Sequence, residues 1–339
     1  MVKNICICGG GNLGHVIAGY LASKSSLYSV SILTSKPKLW SNRLEIKNPD
    51  NTSIFGDICK VTDDPLSIIP PADYIFICLP GPYIEEELKK ITPYLSDFTK
   101  VGTIVSSTGF FFIAHELQIK NTLFGFHRVP FISRIETYGH KAQLLGFKKN
   151  LTLCIENSKD PNSISEELQV MFNTPIIMAN NFLEVSLSNS NPLLHPARLY
   201  TLWKDYDEKF FYDSNVLFYE NWDNQASELY VALDDEFQTL LSLLPVDRKM
   251  IPPVLEYYES GNIDALTQKI TSISAFKGIK APMVRTRKGW IPDFSSRYFT
   301  EDFNYGMKYI LTTSRNLNLD LSLIRKVYEW GNKRAITNE

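Results

Sequence analysis

The chain has 339 residues, 44% of them hydrophobic and 21% charged, with 35 basic side chains against 37 acidic ones. That length exceeds one ordinary core and fits two domains, at roughly 100–200 residues each, while the composition excludes long disorder, collagen-like repeats and coiled coil. A formal charge of -2 excludes a general nucleic-acid binder, and no apolar run reaches the roughly 18 residues that span a bilayer.

Val2 to Cys8 reads as a buried, β-branched strand ending in glycines, and Asn12 to Ser25 as a helix packed closely on a sheet. Tyr28 to Thr34 is a second strand. Thr52 to Thr62 suggests a strand or a hairpin turning at Gly56-Asp57, and Asp73 to Leu79 is a buried strand stopped by Pro80-Gly81-Pro82. Glu85 to Leu95 is helical, Val101 to Ser106 a strand and Phe110 to Lys120 a helix. Short strands alternating with helices imply βαβ units and a doubly wound parallel sheet with helices on both faces. Leu151 to Glu156 and Pro175 to Met178 extend it, so the first domain spans 1–180 and the second 181–339. Beyond Phe182 the β-branched runs give way to helical spacing over Gln225 to Leu244, Arg248 to Glu259, Ile263 to Phe276, Asp302 to Leu317 and Leu321 to Lys333. The second domain is expected to be all-helical, which makes it a candidate homodimer interface.

The N-terminus is too soon broken by glycine to be a signal peptide. Five cysteines scattered among aliphatic residues read as reduced, buried side chains of a cytoplasmic protein. Cys6-x-Cys8 lacks metal or redox spacing, and no His-x-His or His-x-x-x-His pair occurs, so no metal is expected.

Gly9-Gly10-Gly11-Asn12-Leu13-Gly14 matches G-x-G-x-x-G between an apolar strand and a helix, the setting a dinucleotide-binding loop requires. Gly9 permits the tight turn, Gly11 lets backbone approach a pyrophosphate, and Gly14 lets the helix close on the sheet. The free N–H groups at Asn12 and Leu13 then face the phosphates. An acid that would hold the ribose hydroxyls of NAD is missing after the second strand, which ends in Thr34, Ser35 and Lys36. Hydroxyls and a lysine suit a 2′-phosphate, so NADP is expected in preference to NAD. Leu79 and Pro80, after a later strand, should border the nicotinamide.

Of five histidines, His195 stands out in Asn191-Pro192-Leu193-Leu194-His195-Pro196, where two prolines restrict the backbone. A second cluster, Arg297-Tyr298-Phe299-Thr300-Glu301-Asp302-Phe303-Asn304-Tyr305-Gly306, straddles a helix start with Thr300 or Glu301 near the cap. The acids suit a helix dipole; the aromatic enrichment asks for partial burial.

These two segments, with the glycine loop, Phe218-Tyr219-Glu220 and Pro130-Phe131-Ile132-Ser133-Arg134, resemble the opine dehydrogenase family, in order along the chain to about Gly306. The resemblance implies a Rossmann-type first domain and a helical second domain like the C-terminal domain of 6-phosphogluconate dehydrogenase. It implies reductive condensation of an amino acid's amine with a 2-oxo acid such as pyruvate, using NAD(P)H. His195 would then be the general acid/base, Asp302 its orienting partner and Arg297 the group that grips a substrate carboxylate. Arg128, Arg134 and Tyr219 become candidate substrate contacts. Relatives tend to carry Glu-Thr or Glu-Ser before the Pro-aromatic segment, and His127-Arg128-Val129 departs from that. Two rivals share the architecture. A ketopantoate reductase-like 2-oxo acid reductase would need a catalytic lysine, for which Lys204 is a weak candidate. A non-catalytic NADP-binding sensor would leave His195, Asp302 and Arg297 dispensable.

Overall fold

A parallel sheet covered on both faces needs strands apolar throughout, and the first half of the chain supplies them. The computed structural model describes residues 2–336, which divide into two compact units that meet between Ser186 and Leu187 in the chain. In the first unit the strands are β1 (Lys3–Cys8), β2 (Tyr28–Leu33), β3 (Arg43–Lys47), β4 (Ser53–Asp57), β5 (Lys60–Thr62), β6 (Tyr74–Ile77), β7 (Lys100–Ile104), β8 (Thr122–Phe126), β9 (Phe131–Thr137), β10 (Lys141–Phe147), β11 (Leu151–Glu156) and β12 (Ile176–Met178). Eight form one sheet in the order β12-β11-β8-β7-β6-β1-β2-β5. Every pairing is parallel except β8 with β11. From β1 the chain runs outward through β2 to β5, then returns to β6 on the other side. That reversal makes the carboxyl ends of β1 and β6 the topological switch point, where open α/β sheets take ligands.

The helices of this unit are α1 (Asn12–Ala22), α2 (Gly81–Ile91), α3 (Phe110–Glu116), α4 (Pro161–Phe172) and α5 (Phe182–Ser186). A second, four-stranded sheet, ordered β4-β3-β10-β9, lies over α1. Every residue of α1 from Gly14 to Ala22 is buried, because the helix is covered by a sheet on either side. Two glycines make the approach close. A Cβ on Gly19 would meet Ile46 at 2.5 Å, and one on Gly56 would strike the Gly19 carbonyl.

Thr52 to Thr62, expected as a strand or a hairpin turning at Gly56-Asp57, forms two strands, β4 and β5, and does not turn at Gly56. Gly56 lies inside β4, its missing side chain making room for α1; the turn is at residues 48–52, between β3 and β4, which pair antiparallel. Residues 52–62 are shared between the two sheets.

The second unit holds α6 (Asn191–Trp203), α7 (Asn224–Leu241), α8 (Val254–Tyr257), α9 (Ile263–Ser272), a π-helix (Tyr298–Met307), α10 (Lys308–Asn316) and α11 (Ser322–Ile336). It also carries a two-stranded ribbon, β13 (Met283–Arg285) with β14 (Trp290–Pro292). The long helix expected over Arg248 to Glu259 shrinks to α8, because Pro252 and Pro253 lack the N–H groups that would extend it backward. The core gathers around α6, whose Leu193, Leu194, Ala197, Leu199 and Trp203 are buried. Phe299, Phe303 and Met307 bury the inner face of the π-helix. Their spacing of four suits a π-helix, whose turn is longer than the 3.6 residues of an α-helix.

Candidate active site

In the first unit the glycine loop shows a separate physical demand at each position. Gly9 has φ +115, closed to most side chains, and a Cβ there would lie 2.7 Å from the Cys78 carbonyl oxygen. The loops after β1 and β6 therefore touch. A Cβ on Gly14 would collide with the Gly9 carbonyl, so this glycine sets how tightly α1 leaves the sheet. At Gly11, an added Cβ meets nothing within 4 Å. Protein packing does not demand glycine at Gly11; the space it keeps open is the cradle a pyrophosphate would fill.

Gly11 is the N-cap of α1 without a side-chain capping bond, and the first turn holds no acid. The N–H groups of the first turn and the positive end of the dipole are thus left for an anion. The Asn12 side chain is used otherwise: its Oδ1 accepts from the Ile135 N–H of β9 at 2.8 Å. Leu13 packs partly buried against the core. These observations fit a dinucleotide.

Thr34 directly follows β2 and is buried, its Oγ1 accepting from the Lys36 N–H at 3.3 Å. Ser35 and Lys36 are exposed, and among the described residues no ion pair engages Lys36. Leu79 and Pro80 are half-buried, Pro80 capping α2.

Beneath the loop sits His15. Its Nδ1 donates to the Gly11 carbonyl at 3.0 Å, and its Nε2 accepts from the Gly139 N–H at 2.7 Å. The ring stacks on Trp40 at 4.0 Å and meets Tyr138 edge-on at 4.9 Å. Burial brings its pKa down to about 4, so it is a neutral strut for the loop.

In the second unit, α6 carries His195 one turn after Pro192, and the π-helix carries Asp302 one turn before Gly306. A Cβ on Gly306 would strike the Pro192 ring. This close crossing brings His195 and Asp302, 107 residues apart, within 2.7 Å, Nδ1 to Oδ2. A carboxylate only accepts, so Nδ1 carries the proton and Nε2 holds the lone pair of the neutral ring. Nε2 lies 2.8 Å from the Tyr219 hydroxyl. His195 is only 8% exposed, and Tyr298 meets its ring edge-on at 4.7 Å. Burial raises the pKa of Tyr219, with Tyr298, Tyr258 and Asp302 adding to it, so Tyr219 stays a phenol.

Arg297 is placed differently from expectation. It caps the π-helix rather than preceding a later start, and its Nε and Nη2 bind both carboxylate oxygens of Glu301, at 2.6 and 2.9 Å. That fork already grips a carboxylate of the chain itself, and the bond raises the pKa of Arg297. A substrate acid would meet the guanidinium's remaining edge or displace Glu301. Arg128 and Arg134 are exposed residues of the first unit, in the loop before β9 and within β9.

Lys204 is exposed just past α6. His115 pairs with Glu156 at 2.8 Å, and His140 is exposed. His127 has its pKa lowered to about 4 by burial and by adjacent Arg128. Among the described residues, no group of three or more His, Cys, Asp or Glu side chains is placed to hold a metal ion.

Sequence reasoning did not name Arg198, and gave Tyr298 and Gly306 no role beyond membership of the cluster from Arg297 to Gly306. Arg198 lies one turn beyond His195, with 2% of its surface exposed. It donates to the carbonyls of Phe218 and Asn221 and to Asp223, the last at 2.9 Å. The available signal was its i+3 spacing from His195, which places both on one helix face.

A family model described as NAD/NADP octopine/nopaline dehydrogenase, alpha-helical domain, matches residues 178–335. Another, described as ketopantoate reductase PanE/ApbA, matches residues 5–109. The opine dehydrogenase of Haliotis discus hannai is 27% identical, over 89% of this chain and 83% of its own. The octopine dehydrogenase of Mizuhopecten yessoensis is also 27% identical, over 91% and 84%. A solved octopine dehydrogenase with NADH and L-arginine superposes with a TM-score of 0.85 at 24% identity, covering 98% of this chain and 89% of that one. The ketopantoate reductase family model matches only within the first unit, while solved ketopantoate reductases share the fold over 99% of this chain at 10–12% identity, with TM-scores of 0.65–0.66. The half that carries His195 and Asp302 matches the octopine/nopaline dehydrogenase helical domain, and over most of its length the chain is similar to opine and octopine dehydrogenases, NAD(P)-dependent oxidoreductases acting on CH–NH groups.

Proposed function

We propose that His195 is the general acid/base of a reductive condensation between an amino acid's amine and a 2-oxo acid, with Asp302 as its orienting partner. The observation that carries this reading is the continuous hydrogen-bonded chain from Asp302 through His195 to Tyr219. A carboxylate on Nδ1 fixes the tautomer and stabilises the imidazolium formed when Nε2 takes a proton. Arg297, aligned by Glu301, attracts an anionic substrate through the edge that Glu301 leaves. The octopine dehydrogenases solved with L-arginine and with pyruvate make amino acids and pyruvate the first substrates to try.

The nucleotide belongs on the glycine loop, with Gly9, Gly11, Gly14, Asn12 and Leu13 around the pyrophosphate and Leu79 and Pro80 beside the nicotinamide. When bound, it supplies the hydride that reduces the condensed substrate. NADP is favoured over NAD because Thr34, Ser35 and Lys36 offer hydroxyls and a cation where an acid would repel a 2′-phosphate. The octopine dehydrogenase crystallised with NADH keeps NAD as the alternative. Four buried free thiols support a reducing, cytoplasmic setting. Among the described residues no helix is long and apolar enough to cross a membrane.

The test follows NADPH and NADH oxidation with a panel of 2-oxo acids, with and without amino acids, in wild type and His195→Ala. Turnover that needs both substrates and collapses in the variant is the expected result. Turnover without an amine would restore the simple reductase, and binding without turnover the sensor. Lys36→Ala should raise the KM for NADPH about tenfold, the loss of one charge-assisted bond, and leave that for NADH unchanged.

A further inference from the structure

Both ring nitrogens of His195 are occupied from within the chain. Asp302 holds Nδ1 at 2.7 Å and the Tyr219 hydroxyl holds Nε2 at 2.8 Å. The ring is flanked by Tyr298 at 4.7 Å and Phe218 at 5.8 Å. The one lone pair through which His195 can exchange a proton is therefore directed at Tyr219.

Tyr219 is also held firmly. Its ring stacks on Phe276, centroids 4.0 Å apart and planes 15° apart. The carbonyls of Phe218 and Asn221, on either side of it, are bound by Arg198, which is buried and anchored to Asp223. Arg198 stands on α6, one turn beyond His195, so the same helix sets both partners of the 2.8 Å bond. Placing a buried guanidinium there costs desolvation, and its effect is to fix the segment that carries this phenol.

We propose that Tyr219 is a catalytic residue, the group through which His195 exchanges protons with substrate. The proposal rests on the opine-dehydrogenase reading above. In the first step a proton leaves the substrate ammonium for the Tyr219 oxygen as the phenolic proton moves to Nε2, giving an imidazolium beside Asp302. The freed amine forms a C–N bond to the carbonyl carbon, and one proton shifts from nitrogen to the alkoxide. The C–O bond then breaks, with the nitrogen lone pair forming C=N. The leaving hydroxyl takes the Tyr219 proton, and Nε2 returns its own to the phenol. Ammonium and carbonyl have become iminium and water, with no net change in the chain. Burial suits the role, since it keeps Tyr219 protonated between transfers.

Tyr219→Phe in the full chain keeps the stacked ring and removes only the oxygen. Expected are a fall in kcat of about 100-fold or more, the range of general acid–base catalysis, and KM values within about twofold of wild type. In protein labelled with nitrogen-15 histidine, the His195 Nε2 resonance should move on losing its donor. 3-Fluorotyrosine placed at 219, equal in shape and more acidic, should alter kcat several-fold and cover the case in which Tyr219→Phe fails to fold. A kcat unchanged in either variant, or a loss residing wholly in KM, overturns the proposal. If instead wild type shows no amine-dependent oxidation of nicotinamide cofactor, the reading of the reaction fails. An unmoved nitrogen-15 resonance in Tyr219→Phe would, independently of activity, sink the hydrogen bond on which the relay depends.

Discussion

His15 illustrates how one buried ring ties the glycine loop to pH. Its two bonds, to the Gly11 carbonyl and from the Gly139 N–H, use a neutral imidazole fully. The folded protein resists protonation down to about pH 4, whereas the unfolded chain takes that proton near pH 6.5. Stability is then complete above about pH 6.5, falls as pH drops toward 4, and levels off below; a gap of that width corresponds to about 3 kcal/mol. His127 adds in the same direction. Urea unfolding at pH 7 and pH 4.5 should show a smaller loss in His15→Gln than in wild type, and equal losses would refute the assignment. At the other pole, Asp302→Asn presents an N–H to Nδ1 and forces the wrong tautomer on His195. A fall in kcat of about 10⁴-fold, with nucleotide binding intact, is expected from the equivalent change in a Ser-His-Asp triad. His195 and Asp302 were legible as candidates from their motifs. That Arg297 is already gripped by Glu301 was not, because an i,i+4 bond on a helix depends on where the helix starts.

At the scale of elements, glycines decide how closely helices and strands approach. Gly14→Ala drives a methyl into the Gly9 carbonyl and should destabilise the fold by about 1–3 kcal/mol, the usual cost of overpacking. Gly11→Ala meets open space, so its melting temperature should stay near wild type while nucleotide affinity falls about tenfold or more. Differential scanning fluorimetry and a fluorescence titration separate the two; equal melting losses would mean that Gly11 is structural. Gly306→Ala should push the π-helix off Pro192, lengthening the His195–Asp302 bond and lowering kcat with little change in KM. Element periodicity exposed most of the main sheet. The four-stranded sheet over α1 was missed because its strands mix polar and exposed residues with apolar ones instead of forming apolar runs. Its trace was nonetheless present: Gly-His-Val-Ile-Ala-Gly-Tyr-Leu-Ala has no polar face, and a helix apolar all round must be covered all round.

For the molecule as a whole, two compact units with separate cores predict two unfolding transitions in calorimetry. Saturating NADPH should raise the one that belongs to the first unit, by about 2.7 kcal/mol at a hundredfold excess over Kd. A shift confined to the other transition would remove the nucleotide from the glycine loop. The amino-acid sequence by itself determined the alternation of strands and helices, the glycine loop between strand and helix, the helical second half and the chemical types gathered in two motifs. Each of these is written in local spacing, which neighbouring residues suffice to express. Only the tertiary structure decided that Asp302 reaches His195, that Tyr219 closes the other side of the ring, and that Arg198 holds Tyr219 in place. Those contacts join residues 20 to 107 positions apart. They exist because a proline, a glycine and a buried guanidinium set how helices cross, a packing outcome that no local pattern records.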